Sequence, residues 1–182
     1  MTSWSHGYVA DSPYLASYQQ AQSPAGLALA CALMGVEARL SADLALADIG
    51  CGRGLTVNVL AAANPRWTVV GIDYHPAHVA EAAALAEDAR LPIAVFADAD
   101  LADLADADLD QLPDFDVVTL HGVWTWVDDA VRRGIVRLLA RRLKPGGIAY
   151  VGYNALPAFG AEFGRQRLLR HAAAALRGDS AA

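Results

Sequence analysis

Asp48-Ile49-Gly50-Cys51-Gly52-Arg53-Gly54, directly behind the apolar run Leu44-Ala45-Leu46-Ala47, decides how this chain is read. An apolar strand that runs into a glycine-rich turn and then a helix brings backbone close to a nucleotide-like ligand. Glycine suits such a turn because, without a Cβ, its φ reaches values closed to other residues. A second strand, Thr68-Val69-Val70-Gly71-Ile72-Asp73, ends in a carboxylate about where a ribose-binding acid is expected, roughly 20 residues on. The spacing is Gly-x-Gly-x-Gly. The third glycine of a dinucleotide fingerprint would fall on Leu55, so that fingerprint is broken. Pyrophosphate binding needs a tightly packed helix start there, and a phosphate-free cofactor does not. The loop therefore points to a nucleoside-bearing cofactor without phosphates.

The run from Asp48 to Gly54 resembles motif I of the class I S-adenosylmethionine-dependent methyltransferases. Three further blocks match in order: Gly71-Ile72-Asp73, Phe115-Asp116-Val117-Val118-Thr119-Leu120-His121 and Leu143-Lys144-Pro145-Gly146-Gly147. A narrower similarity rests on Gly7-Tyr8-Val9-Ala10-Asp11, Ala61-Ala62-Ala63-Asn64-Pro65, Leu120-His121-Gly122-Val123-Trp124 and Tyr153-Asn154-Ala155-Leu156-Pro157. These segments are similar to the catalytic core of bacterial methyltransferases that carry a C-terminal methyltransferase regulatory domain. The resemblance implies S-adenosyl-L-methionine as cofactor, a longer parent protein, and, for some relatives, protein lysine as acceptor. Fold alone does not transfer a substrate.

Composition agrees with an α/β enzyme. The chain has 182 residues, 55% hydrophobic and 19% charged, which excludes a disordered segment and fits a parallel sheet covered on both faces. No apolar run reaches the roughly 20 residues of a membrane span. Met1 to Gln20 lacks a basic start and an apolar core, so no signal peptide is expected. Cys31 and Cys51 have no metal-ligand spacing, and a cytoplasmic location is the expectation. Asp98, Asp100, Asp103, Asp106, Asp108, Asp110, Asp114 and Asp116 form an acidic stretch without the glycine and final glutamate of a calcium loop. It reads as a solvated helix or loop. Arg132, Arg133, Arg137, Arg141, Arg142 and Lys144 have no interleaved aromatics, and the net charge is −6. They read as the solvent side of one helix rather than a nucleic-acid surface.

The pattern predicts helices at Pro24 to about Met34, Leu55 to Ala63, Pro76 to about Ala89, a stretch capped by Asp128, and Ala161 to Arg177. Strands are expected at Leu44–Ile49, up to Asp73, Ile93–Ala97, Val117–Leu120 and Ile148–Val151, the last entered through a Lys144-Pro145-Gly146-Gly147 turn. Right-handed crossovers then order a doubly wound, Rossmann-like α/β sheet as 3-2-1-4-5. The whole chain, 1–182, reads as a single domain: a helical lid over 1–40, an α/β core over 41–153 and a C-terminal helix over 154–182. The antiparallel hairpin of the full methyltransferase sheet is missing. The bare strand-five edge is therefore expected to be covered by the C-terminal helix or by a second copy.

Several side chains carry the expected site. Asp73 can accept from both ribose hydroxyls, with a helix-cap role as the competitor. Tyr74 packs on the adenine face. Asp98 takes the adenine amino group, and the Ala99 amide reaches a ring nitrogen. Asp48 either orients the glycine loop or receives the cofactor's ammonium. Gly50, Gly52 and Gly54 line the ligand, and Cys51 is a small neighbour rather than a nucleophile. His121, at the switch point, binds cofactor, positions the acceptor or takes its proton. Together with Tyr153 and Asn154 it forms the candidate catalytic set. Tyr153-Asn154 is similar to the Asn/Asp-Pro-Pro-Tyr box of amino-group methyltransferases but follows strand five instead of strand four. Trp124 and Trp126 are expected acceptor walls, with core packing the competitor for one of them. Tyr8, Tyr14 and Tyr18 form either a lid or a packed helix face. The acceptor stays open among protein lysine, small molecule and nucleic acid. A non-catalytic cofactor-binding or partner-docking module is the alternative, and a nicotinamide enzyme a third reading.

Overall fold

The computed structural model describes residues 15–38 and 40–177. They fall into two compact units that divide after Gly152. The first unit holds a five-stranded parallel sheet of β1 (Ala45–Ile49), β2 (Thr68–Asp73), β3 (Ala94–Asp98), β4 (Phe115–His121) and β5 (Leu143–Gly152), in the order β3-β2-β1-β4-β5. Its helices are α1 (Pro24–Leu33), α2 (Leu55–Ala63), α3 (Pro76–Asp88), α4 (Asp106–Leu109) and α5 (Asp129–Arg142), preceded by a 3₁₀ turn at Gln20–Gln22. The second unit holds α6 (Gly160–Arg177). Among the described residues no sixth or seventh strand extends the sheet beyond β5. Tyr8 and Tyr14 lie outside the described residues, and Tyr18 is exposed.

Period-two alternation along β1 serves both faces of the sheet. Leu44 and Leu46 pack with Val57, Leu60 and Ala61 of α2, while Ala47 and Ile49 pack with Val131, Ile135 and Leu138 of α5. Asp128 caps α5 as expected, accepting from the Ala130 and Val131 amides at 2.9 and 3.1 Å. Ser23 takes the cap position of α1, with Pro24 behind it, but its side chain makes no capping bond. Lys144-Pro145-Gly146-Gly147 does loop out. Phe115 pairs with Leu143 and Val117 with Ile148, so these four residues bulge opposite Asp116. Asp116 fastens the bulge by accepting from Lys144 Nζ at 2.9 Å, and the same oxygen takes the Ala45 amide at 2.8 Å.

The two charge-rich stretches are solvated, as their sequence suggests, and they meet along α5 in largely exposed ion pairs. Arg141 on α5 bonds Asp106 at 3.1 Å and Asp110 at 2.7 Å, Arg137 lies 3.6 Å from Asp106, and Arg142 lies 3.3 Å from Asp114. Arg137 and Arg142 also donate to the Leu104 and Leu112 carbonyls. The Arg141 guanidinium holds the Asp110 carboxyl below its usual range. Sequence alone left open which acid meets which base, since partners stand about 30 positions apart.

Gly134, inside α5, has no room for a side chain. A Cβ there would overlap the Leu101 carbonyl oxygen and come within 2.6 Å of its carbonyl carbon. Gly→Ala in a helix gains about 1 kcal/mol of propensity. Overpacking against backbone costs about 1–3 kcal/mol, often more when the neighbour cannot swing away. Gly134→Ala is therefore expected to lower the melting temperature by several degrees. An unchanged or raised value would show that the Leu101 segment yields freely.

Candidate functional site

The glycine turn is braced from beneath by β2. The Gly50 and Cys51 amides donate to the Ile72 carbonyl at 2.7 and 3.2 Å, and the Gly52 amide donates to Asp73 Oδ2 at 2.8 Å. Gly50, Gly52 and Gly54 have φ of 73°, 54° and 70°, a left-handed region that side chains disfavour. Space matters as well. A Cβ on Gly50 would overlap Val123 Cγ2, and one on Gly54 would overlap Ala82 Cβ and stand 2.8 Å from Phe96 Cε1. The start of α2 is thus tightly packed after all, at Gly54. The packing argument against a dinucleotide fails here, and what separates the patterns is the register of the glycines.

Two hollows open above the carboxyl ends of β1 and β4, where the strand order reverses. The larger, about 190 Å³, is lined by Asp73, Tyr74, Asp100 and the apolar Leu101, Val123, Val127 and Val131. The smaller is lined by Asp48, Cys51, Thr56 and the N-terminal residues Ser17, Gln19 and Gln22. Among the described residues only Gly50 and His121 line both. The two hollows adjoin, and His121 stands on the lining of each.

Asp73 is 6% exposed, and each of its oxygens is already engaged, Oδ2 by the Gly52 amide and Oδ1 by the His75 amide at 2.9 Å. A carboxylate offers about four lone-pair sites, so acceptor capacity remains toward the cleft. The cap position of α3 is held by His75, not Asp73. His75 stacks on His78, whose Nδ1 lies 3.7 Å from Asp73 Oδ1. Tyr74 lines the larger hollow and meets His75 edge-on.

Asp48 is 3% exposed and accepts from Thr119 Oγ1 at 3.0 Å and from Gln22 Nε2. Burial pushes its carboxyl up to about 7; the Thr119 and Gln22 bonds pull against that rise, and the Asp73 charge adds to it. The Gln22 contact was not legible in the sequence, because nothing local marks a glutamine 26 positions before its partner. It seats the N-terminal segment on the cleft, helped by the Gln19 amide, which donates to Thr56 Oγ1 at 3.0 Å. Burial and the Asp48 and Asp73 charges drive the Cys51 thiol well above its ordinary value, and Cys51 packs in the core cluster under α2. It has no nucleophilic character.

Several expected contacts are redistributed. The Ala99 amide donates to the Asp73 carbonyl at 3.0 Å, so that donor is engaged within the sheet, while Ala99 itself lines the larger hollow. Asp98 is exposed at the tip of β3 and does not line the cleft, whereas Asp100 does. In Asp98-Ala99-Asp100 the sequence offers both carboxylates at one spacing. The extra residue that β3 gains at its end decides between them. Trp124 packs against the core with Arg132 5.9 Å above its ring, and Trp126 is exposed. Neither lines the cleft. Tyr153 and Asn154 open the second unit, and Tyr153 is exposed.

A methyltransferase domain model matches residues 47–149. An uncharacterized protein of Synechocystis is 33% identical over 91% of this chain and 32% of its own length. The trans-aconitate 2-methyltransferase of Methylobacterium nodulans is 31% identical over 59% of this chain and 37% of its own. Among solved structures, PKMT2 of Rickettsia typhi superposes with a TM-score of 0.78 at 26% identity, covering 89% of this chain and 31% of that one. A second PKMT2 structure, in complex with S-adenosylhomocysteine, gives 0.73 at 28% identity over 81% and 28%. The chain spans about a third of the length of these relatives. With the glycine turn, the 3-2-1-4-5 sheet and the switch-point cleft all in place, the chain belongs to the methyltransferase domain family, in the S-adenosylmethionine-dependent class.

Proposed function

We propose that this chain is the cofactor-binding core of an S-adenosylmethionine-dependent methyltransferase whose acceptor is a protein lysine. The observation that carries the reading is the pair of adjoining hollows at the switch point, with Asp73 lining one, Asp48 the other and His121 both. The residues suit the cofactor. Asp73 accepts from the ribose hydroxyls, and Leu101, Val123, Val127, Val131 and Tyr74 enclose the base. Asp100 is the carboxylate placed for the exocyclic amino group. Asp48, buried beside Gln22 on the lining of the smaller hollow, is the carboxylate for the cofactor's ammonium. A Cβ at Gly50 would overlap Val123 Cγ2 on the wall of the larger hollow. Bound S-adenosylmethionine supplies an electrophilic methyl group on a sulfonium. The chain's own part is to hold, orient and dry that group, and to place His121 where an acceptor approaches. The likeness to PKMT2 supports lysine as acceptor. The shorter match to trans-aconitate 2-methyltransferase keeps a small molecule as the second reading.

S-adenosylhomocysteine is expected to raise the melting temperature of this chain and NAD to leave it unchanged. At a hundredfold excess over Kd the stabilisation is about 2.7 kcal/mol. Equal shifts with both ligands would sink the cofactor assignment. Transfer of radiolabelled methyl groups onto cell lysate, followed by acid hydrolysis, should then yield labelled methyl-lysine. Label confined to small molecules would move the acceptor to a metabolite.

A further inference from the structure

His121 ends β4, and its register partner on β5 is Gly152, with Tyr150 two residues earlier on the same face of that strand. The imidazole lies across the strand so that Nδ1 is 3.2 Å from the Tyr150 hydroxyl, with the rings within 6° of parallel and 6.2 Å apart. Gly152 leaves the space for this. A Cβ there would stand 2.9 Å from His121 Nδ1 and 3.2 Å from Tyr150 Oη. A phenol, a glycine and an imidazole thus form one fitted unit, whose imidazole lines both hollows. Nothing in the sequence pattern singled out Tyr150 or Gly152.

We propose that Tyr150 is a positioning residue for His121. The phenol oxygen accepts the Nδ1 proton and so leaves Nε2 bare, as the proton acceptor for an amine nucleophile. The inference rests on the methyltransferase reading and deepens it toward nitrogen acceptors. A neutral imidazole carries one N–H and one bare nitrogen, and the hydrogen bond made by one nitrogen sets the state of the other. With Nδ1 engaged by Tyr150, Nε2 is the ring nitrogen left for the acceptor. An amine arrives at neutral pH as an ammonium with no lone pair. One of its N–H bonds breaks, the electron pair stays on nitrogen as the nucleophile, and the proton forms a new bond to Nε2. The imidazolium later passes that proton to solvent.

The test is long-range ¹H–¹⁵N spectroscopy on the histidine-labelled chain, with His121 signals assigned by His121→Asn. The wild type is expected to show the Nδ1–H tautomer at His121. Tyr150→Phe is expected to shift it predominantly to Nε2–H while S-adenosylhomocysteine still binds, which reports an intact fold. Gly152→Ala presses on both bonded atoms with Tyr150 present and is expected to give the same loss. It also serves if the phenylalanine variant fails to fold. A wild-type chain already in the Nε2–H form, or a tautomer indifferent to both substitutions, would overturn the proposal. Absence of S-adenosylhomocysteine binding to the wild type, with the tautomer as stated, would instead remove the methyltransferase reading and leave the pair standing.

Discussion

Asp73→Ala is expected to weaken S-adenosylhomocysteine binding by about 2–4 kcal/mol, at roughly 1.5–3 kcal/mol per charge-assisted bond to ribose with some compensation by water. Isothermal titration should read that as a loss of about thirtyfold to several hundredfold. The same substitution acts on the ligand-free protein. Asp73 anchors the Gly52 and His75 amides, at 2.8 and 2.9 Å. A buried donor left without a partner costs about 1–3 kcal/mol, so the melting temperature should fall as well. Asp73→Asn does not spare the loop either. It keeps one acceptor oxygen but turns an NH₂ group toward one of the two amides, so stability should still drop. An alanine variant that loses stability yet binds within twofold of wild type would confine Asp73 to bracing the loop.

Stability is expected to fall as pH rises from about 4 to 7, and to do so through Asp48. Its carboxyl is raised from 3.8 in the unfolded chain to about 7 in the fold. Between those values the folded state keeps a proton that the unfolded state has released. The contribution is therefore full below about pH 4, declines across the window and is gone above about 7. Three pKa units at about 1.4 kcal/mol each make the loss about 4 kcal/mol. Asp48→Asn can still accept from Gln22 and Thr119 but cannot ionise. Chemical denaturation at pH 5 and pH 8 should show the variant losing much less stability than the wild type. Binding runs the other way. A cofactor ammonium favours the ionised carboxylate, so wild-type affinity should rise toward pH 7 with release of a proton, seen as buffer-dependent heats. Matching pH profiles for wild type and Asp48→Asn would remove Asp48 as the titrating group.

What the sequence by itself determined is local and periodic. The apolar run before Gly50, the acid at the end of β2, the prolines opening α1 and α3 and the Asp128 cap each follow from φ constraints or from periods of 2 and 3.6 acting over a few residues. Right-handed crossovers permit the 3-2-1-4-5 order, and the resemblance to the methyltransferases picks it among the orders they permit. Tertiary structure decided the choices that need a partner far along the chain. Gln22 reaches Asp48 across 26 positions, Tyr150 reaches His121 across 29, and Arg141 reaches Asp110 across 31. No local signal marks such pairs, because a polar side chain settles where a buried group needs a hydrogen bond, and sheet order fixes which groups those are. Asp98 and Asp100 are alike in sequence, and the fold separates them only through the one residue by which β3 outlasts its apolar run. The Ala99 amide was taken by the ladder to β2 for the same reason: backbone donors are committed to neighbouring strands before any ligand arrives.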